Sequence, residues 1–148
     1  MVTRAWGNEY RTTMVCVDSY ENGVISGRLY NPYLESGQKF SSVMEFLKTM
    51  DTVLDKMNFP QSFTAARTFA PAPTLRNEVA DPGIRSGKLA TFAIKVLFRQ
   101  NASWQGSVTW VEEGSEVSFR SALELLKLLD SVLWNAGEKD GKERDTVE

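Results

Sequence analysis

The chain contains one pattern twice. Shifted by 79 positions, residues 12–54 align with residues 91–133 without a gap. Identical residues fall at 13 of the 43 aligned positions. They are Thr12/Thr91, Val17/Val96, Asn22/Asn101, Gly27/Gly106, Ser36/Ser115, Phe40/Phe119, Ser42/Ser121, Glu45/Glu124, Leu47/Leu126, Lys48/Lys127, Asp51/Asp130, Val53/Val132 and Leu54/Leu133. Such a repeat limits the fold more than any composition does, because both copies must satisfy one backbone course and bury the same kind of face.

Each copy reads strand, turn, strand, turn, helix. In the second, Phe92, Ile94, Val96 and Phe98 alternate with Ala93, Lys95, Leu97 and Arg99, the period of a half-buried strand. Gln100-Asn101-Ala102 is a predicted turn. Trp104, Gly106, Val108 and Trp110 mark one face of the next strand, which Glu112-Glu113-Gly114-Ser115 ends. The first copy follows suit with Val15 and Val17, then Ile25, Gly27 and Leu29, ending at Asn31-Pro32. Between these strands stands Asn22-Gly23, a hairpin signal because both residues tolerate positive φ.

The helices are marked by apolar stripes at three- and four-residue spacing. Val43, Phe46, Leu47, Met50, Val53, Leu54 and Met57 form the first stripe. Ala122, Leu125, Leu126, Leu129, Val132 and Leu133 form the second. Each opens with Ser-x-x-Glu (Ser42/Glu45 and Ser121/Glu124), the spacing of a capping box. Phe40 and Phe119 precede the caps and are expected to pin the chain against the core.

A single hairpin is marginal in water, so two units gain by joining edge to edge. The expected fold is α+β: an internally duplicated β-β-α unit giving a four-stranded antiparallel sheet with two helices packed on one face about a pseudo-two-fold axis. Residues 1–136 would form one domain, with a proline-rich linker over about 55–90. Within that linker Ser62–Phe69 alternates and is a candidate extra strand. The charged tail, Gly137–Glu148, is expected to be frayed.

Composition narrows function by subtraction. The 148 residues include no histidine and one cysteine, Cys16. The commonest general base and the usual zinc ligand sets are therefore missing, and no catalytic triad that needs an imidazole can be built. No intrachain disulfide can form, which suits a reducing, cytoplasmic setting. No glycine-rich phosphate loop is present. A net charge of −2 gives no field favouring nucleic acid. Arg67, Arg76, Arg85 and Lys88 are interrupted by Glu78 and Asp81. Met1–Arg11 lacks an apolar core of the signal-peptide kind, and no run is long enough to span a membrane. No cofactor and no metal site is expected.

What remains is surface chemistry. Arg99, Asn101, Trp104, Gln105, Trp110 and Arg120 are the richest mixture of planar donors and aromatic rings. They are read either as a small ligand- or partner-binding pocket or as core tryptophans with polar cover on the outer sheet face. Asp51 and Asp130, at equivalent helix positions, are expected to bind a basic neighbour rather than to do acid–base work. Leu123 and Leu128 lie outside the main stripe of the second helix, on opposite flanks, and are candidate interface residues. Cys16, flanked by Val15 and Val17, reads as a small strand residue rather than a nucleophile.

Two strings carry a resemblance. Phe98-Arg99-Gln100-Asn101-Ala102-Ser103-Trp104-Gln105-Gly106, followed by Ser118-Phe119-Arg120-Ser121-Ala122-Leu123-Glu124-Leu125-Leu126, resembles a recurring group of small bacterial proteins. Tyr30-Asn31-Pro32-Tyr33 and Met57-Asn58-Phe59-Pro60-Gln61 resemble a companion segment in that group. The resemblance implies a bacterial cytoplasmic setting and carries no activity, cofactor or site. Tyr20 to Val24 replace Arg99 to Ser103 in the first copy, so anything bound by that string is bound by one half alone. The expected function is a non-enzymatic protein-interaction or regulatory module that binds a protein partner or a second copy of itself. The alternative is a small-ligand-binding regulator built around Trp104, Trp110 and Arg99.

Overall fold

Val15 and Val17 leave their strand on one face, Met14 and Cys16 on the other, and this alternation organises the sheet. The computed structural model describes residues 11–34, 36–57, 69, 78–79, 86–99 and 103–145. Among the described residues the order is β1 (Thr12–Glu21), β2 (Val24–Tyr30), β3 (Gly37–Phe40), α1 (Val43–Met57), β4 (Glu78–Val79), β5 (Ala90–Phe98), β6 (Gln105–Trp110), β7 (Ser115–Phe119) and α2 (Ala122–Asp145). The strands form one antiparallel sheet in the order β4-β3-β2-β1-β5-β6-β7.

This corrects the expected four-stranded sheet. Among the described residues six strands have four or more residues, and the two-residue β4 extends one margin. The extra strands are Gly37–Phe40 and Ser115–Phe119, so the unit is β-β-β-α rather than β-β-α. Both are short, and β7 is polar and exposed until Phe119, so neither shows a long apolar alternation. Phe40 and Phe119 end these strands and are buried at 0% and 2% exposure.

The two units meet at the centre through β1 and β5. Thr12 pairs with Lys95 and Cys16 with Thr91; Thr13 pairs with Ile94 and Val15 with Phe92. A shift of 79 positions exchanges the members of each couple, and Met14↔Ala93 falls on the axis. The other registers repeat at the same offset. Gly27↔Phe40 matches Gly106↔Phe119, and the irregularity after Val17 in β1 matches the one after Val96 in β5.

Gly27 and Gly106 show why one residue type recurs. A Cβ on Gly27 would press into the carbonyl oxygen of Cys16, and one on Gly106 into that of Lys95, far inside contact distance. Both glycines stand opposite the start of a bulge, where the neighbouring strand comes close. The β1–β2 turn is the expected Asn-Gly pair, with φ of 55° at Asn22 and 77° at Gly23.

Both helices cover the sheet face that carries Val15, Val17, Ile25, Leu29, Phe92, Ile94, Val96 and Val108. On α1, Phe46 packs on Phe40 with ring centroids 5.3 Å apart, and Met50, Val53 and Leu54 are buried behind it. On α2, Leu125, Leu129 and Leu133 are buried. Ser42 Oγ accepts the Glu45 amide at 3.1 Å, and Ser121 Oγ accepts that of Glu124 at 3.0 Å. The reciprocal bond departs from the simple box: Glu124 Oε1 takes the amide of Arg120, one residue before the cap, at 3.1 Å. α2 continues to Asp145, through most of the segment read from composition as a frayed tail. Of the candidate strand Ser62–Phe69, only Phe69 is described, and it is exposed; the rest lies outside the described residues.

Candidate functional site

Repeat symmetry places position 20 of the first unit and position 99 of the second at equivalent ends of β1 and β5, each facing the helix of the other unit. Tyr20 donates its hydroxyl to Oδ1 of Asp130 on α2. Arg99 donates from Nη1 to Asp51 Oδ1 at 3.3 Å and to Asp55 Oδ1 at 2.9 Å on α1. The Arg99 side chain is 5% exposed, whereas those of Asp51 and Asp55 are 49% and 65% exposed. The twin aspartates therefore clasp one half to the other. The hydrogen bond to Asp130, then partial burial and the nearby negative charge, push the Tyr20 hydroxyl up to about 12. Partial burial and the neighbouring Asp55 raise Asp51, against the opposing pull of Arg99.

The described residues of the predicted ligand constellation take different roles. Arg99 is committed to the α1 carboxylates. Trp104 is core, at 7% exposure. Gln105 is exposed at the start of β6. Arg120 is exposed and donates to Glu124 Oε2 at 3.0 Å, which holds Glu124 below the usual carboxylate range. Asn101 lies outside the described residues. Of the interface candidates, Leu123 is 62% exposed, and Leu128 is partly buried against the core. Cys16 is fully buried.

Trp110 and Leu128 do meet, in a cleft of about 340 Å³ between α2 and the β5–β7 part of the sheet. Val117, Val132 and Asn135 stand around it, and Phe92 and Val108 form the floor. Val117 is 45% exposed on β7, and Glu116 and Ser118 beside it are also exposed. Among the described residues no strand lies beyond β7, so an apolar cleft adjoins an open sheet margin. Trp110 adds a polar anomaly: its Nε1 is buried without a hydrogen-bond partner among the described residues. Such a group costs about 1–3 kcal/mol relative to a satisfied one.

The matching place in the first unit is closed. The counterparts of Phe92, Val108, Trp110, Leu128, Leu129 and Val132 are Thr13, Leu29, Asn31, Thr49, Met50 and Val53. All six are buried, none more than 8% exposed. Asn31 has its amide satisfied by Thr13 Oγ1 at 3.1 Å and the Thr12 carbonyl at 3.2 Å, and its Oδ1 accepts the Tyr33 amide at 2.8 Å. The margin is closed as well. Val79 and Glu78 of β4 pair with Gly37 and Gln38 of β3.

Asp18 is a second point of asymmetry. It sits at the β1 bulge and receives Arg28 Nε and Nη2 at 2.9 and 3.0 Å and the Lys88 amide at 3.1 Å. The equivalent residue on β5 is Leu97, which is 40% exposed beside Phe98 at 52%.

Sequence reasoning missed Val117 and Val132 as partners of Trp110, and Tyr20 and Asp55 as partners of the twin aspartates. The repeat held the signal for Tyr20, since it aligns with Arg99 and Asp51 aligns with Asp130. Among the described residues no helix is long and apolar enough to cross a membrane, and no cluster of three potential metal ligands occurs. Comparison with protein-family models, curated proteins and solved structures gave no match.

Proposed function

We propose that this protein acts by binding rather than by catalysis, and that its working surface is the α2–β7 margin of the second unit. The occupant is an extended segment of a protein. It would pair with β7 and set alternate side chains against Val117, Leu128 and Val132, the mode of strand addition to a sheet edge. The observation that carries this reading is the contrast between halves. In the first unit β4 lies antiparallel along β3 at Gly37 and Gln38; the equivalents of those residues, Glu116 and Val117, have no such neighbour among the described residues. The fold thus already uses a strand at the equivalent place.

The chemistry of the charged groups favours binding too. Asp51, Asp130, Arg99, Asp18, Arg28, Arg120 and Glu124 are engaged in structural pairs. A cytoplasmic protein partner suits the single buried thiol.

Selection of displayed random peptides on immobilised protein tests the reading. Peptides with alternating apolar residues are expected to be enriched, and Val132→Lys is expected to abolish their binding while the variant stays folded. Failure to enrich any peptide on a chain that also stays monomeric, or binding indifferent to Val132→Lys, would remove the margin as the working surface. A small apolar ligand in the cleft is the second reading, favoured by the unpartnered Trp110 Nε1. It predicts a raised melting temperature with a compound bearing a hydrogen-bond acceptor, and no peptide enrichment.

A further inference from the structure

The β7 margin carries a pattern that is complementary to itself. Glu116 stands near its beginning and makes no ion pair among the described residues. Arg120 follows its end with a side chain 86% exposed; its Nε and Nη2 are turned to Glu124, at 3.5 and 3.0 Å, so that Nη1 is the edge that would meet a second carboxylate. Two antiparallel copies of β7 centred on Ser118 would place each Glu116 opposite the partner subunit's Arg120. Two salt bridges would then flank a Ser118–Ser118 centre. The same register sets Val117, on the helix-bearing face, opposite the partner subunit's Phe119. Directly opposed side chains are the ones whose charge and shape decide a strand pairing.

We infer that β7 pairs with β7 of a second copy of this chain, in that register, joining two sheets into one across a two-fold axis. An isologous contact of this kind needs one surface that answers itself, and an antiparallel strand with opposite charges at its two ends meets that condition. The arrangement repeats one already inside the molecule. β1 and β5 meet antiparallel about Met14↔Ala93, with both helices on one face of the sheet. A two-fold at Ser118 likewise sets the α2 helices of the two copies on one face, with the cleft of each beside the seam. Pairing also protects an edge that would otherwise invite uncontrolled strand addition. The inference rests on the reading of the α2–β7 margin as the working surface, and names its occupant.

Sedimentation equilibrium with charge reversals tests it. Wild-type protein is expected to pass from monomer to dimer between about 1 µM and about 1 mM, with Glu116→Arg and Arg120→Glu each weakening dimerisation at least about tenfold. The double reversal is expected to restore it, which a merely structural effect of either change would not do. Circular dichroism melts identify any variant that fails to fold, and the double reversal then decides between the outcomes. A wild-type chain that stays monomeric throughout, or single reversals that leave association unchanged, would overturn the self-pairing. If peptide selection still succeeds in that case, the margin reading stands and the strand it takes comes from another protein. If both fail, the margin reading fails with it.

Discussion

Tyr20 and Asp130, which belong to different halves of the repeat, are joined by a hydrogen bond from the tyrosine hydroxyl to the carboxylate. Their counterparts, Arg99 and Asp51, are joined at 3.3 Å in the opposite sense across the molecule. One aspartate on each helix thus reaches the end of the other unit's central strand. The duplicated pattern closes on itself through these two contacts as well as through the β1–β5 register.

The first contact has a pH signature. The Tyr20 hydroxyl is pushed up to about 12, so the folded state holds its proton more tightly than the unfolded chain does. Its contribution is complete below the ordinary tyrosine range near 10 and is lost as pH rises toward 12. Tyr20→Phe is expected to cost about 1 kcal/mol at neutral pH. It should also flatten the alkaline decline in stability. Urea unfolding at neutral and alkaline pH measures both, and absorbance titration should show a late-titrating phenol that the variant lacks.

The second contact should respond in the opposite direction to removal of a charge. Partial burial and Asp55 raise Asp51, so its ionised form is disfavoured in the fold, and the associated stability is present at acid pH and lost as pH rises through its folded value. Asp51→Asn keeps an acceptor for Arg99 and relieves repulsion with Asp55. It should be neutral or stabilising by a few tenths of a kcal/mol at pH 7, since both carboxylates are half-exposed and screened. Arg99→Met should destabilise by about 1–2 kcal/mol, because it leaves the two carboxylates without their shared cation. Chemical denaturation of both variants supplies the comparison.

Gly27→Ala and Gly106→Ala should each destabilise by about 2–3 kcal/mol or more, because neither strand can move off without disturbing its bulge. The two costs should agree closely, since the obstructing atoms, the carbonyls of Cys16 and Lys95, occupy equivalent positions. Unequal costs would mean that the two bulges are not mechanically alike.

Trp110→Phe removes a buried donor that has no acceptor among the described residues. Despite the smaller ring, the change should be neutral or stabilising by up to about 1 kcal/mol. Trp104→Phe, in the core, should cost about 1–3 kcal/mol. Thermal melts of the two variants should shift in opposite directions, or in one direction by clearly unequal amounts.

Much of this architecture was legible before any coordinate. Alternation located β1, β2, β5 and β6, Asn22-Gly23 located the first turn, and the apolar stripes at three- and four-residue spacing located both helices. Strands β3 and β7 escaped because period-two patterning needs apolar residues on one face, and Ser115–Ser118 has only Val117. The site was less legible, for a different reason. Arg99, Trp104, Trp110 and Arg120 are close in sequence, yet Arg99 is taken up by the α1 carboxylates, Trp104 by the core and Arg120 by Glu124. Trp110 meets Leu128 and Val132 only because α2 returns over the sheet, and no local signal records that distance. The repeat could have supplied it, since its alignment sets Trp110 against buried Asn31 and Val132 against buried Val53.

That last pair offers the most direct measurement. Val53 and Val132 are identical residues at equivalent positions, but Val53 is fully buried while Val132 borders the cleft. Unfolding free energies of Val53→Lys and Val132→Lys, measured side by side in urea, compare the closed half with the open one. The first should lose about 3–5 kcal/mol by burying an unpaired charge. The second should lose less than about 1 kcal/mol, because its ammonium reaches water along the cleft. Equal losses would contradict the account, for then the second unit would be as closed as the first and would hold no surface to offer.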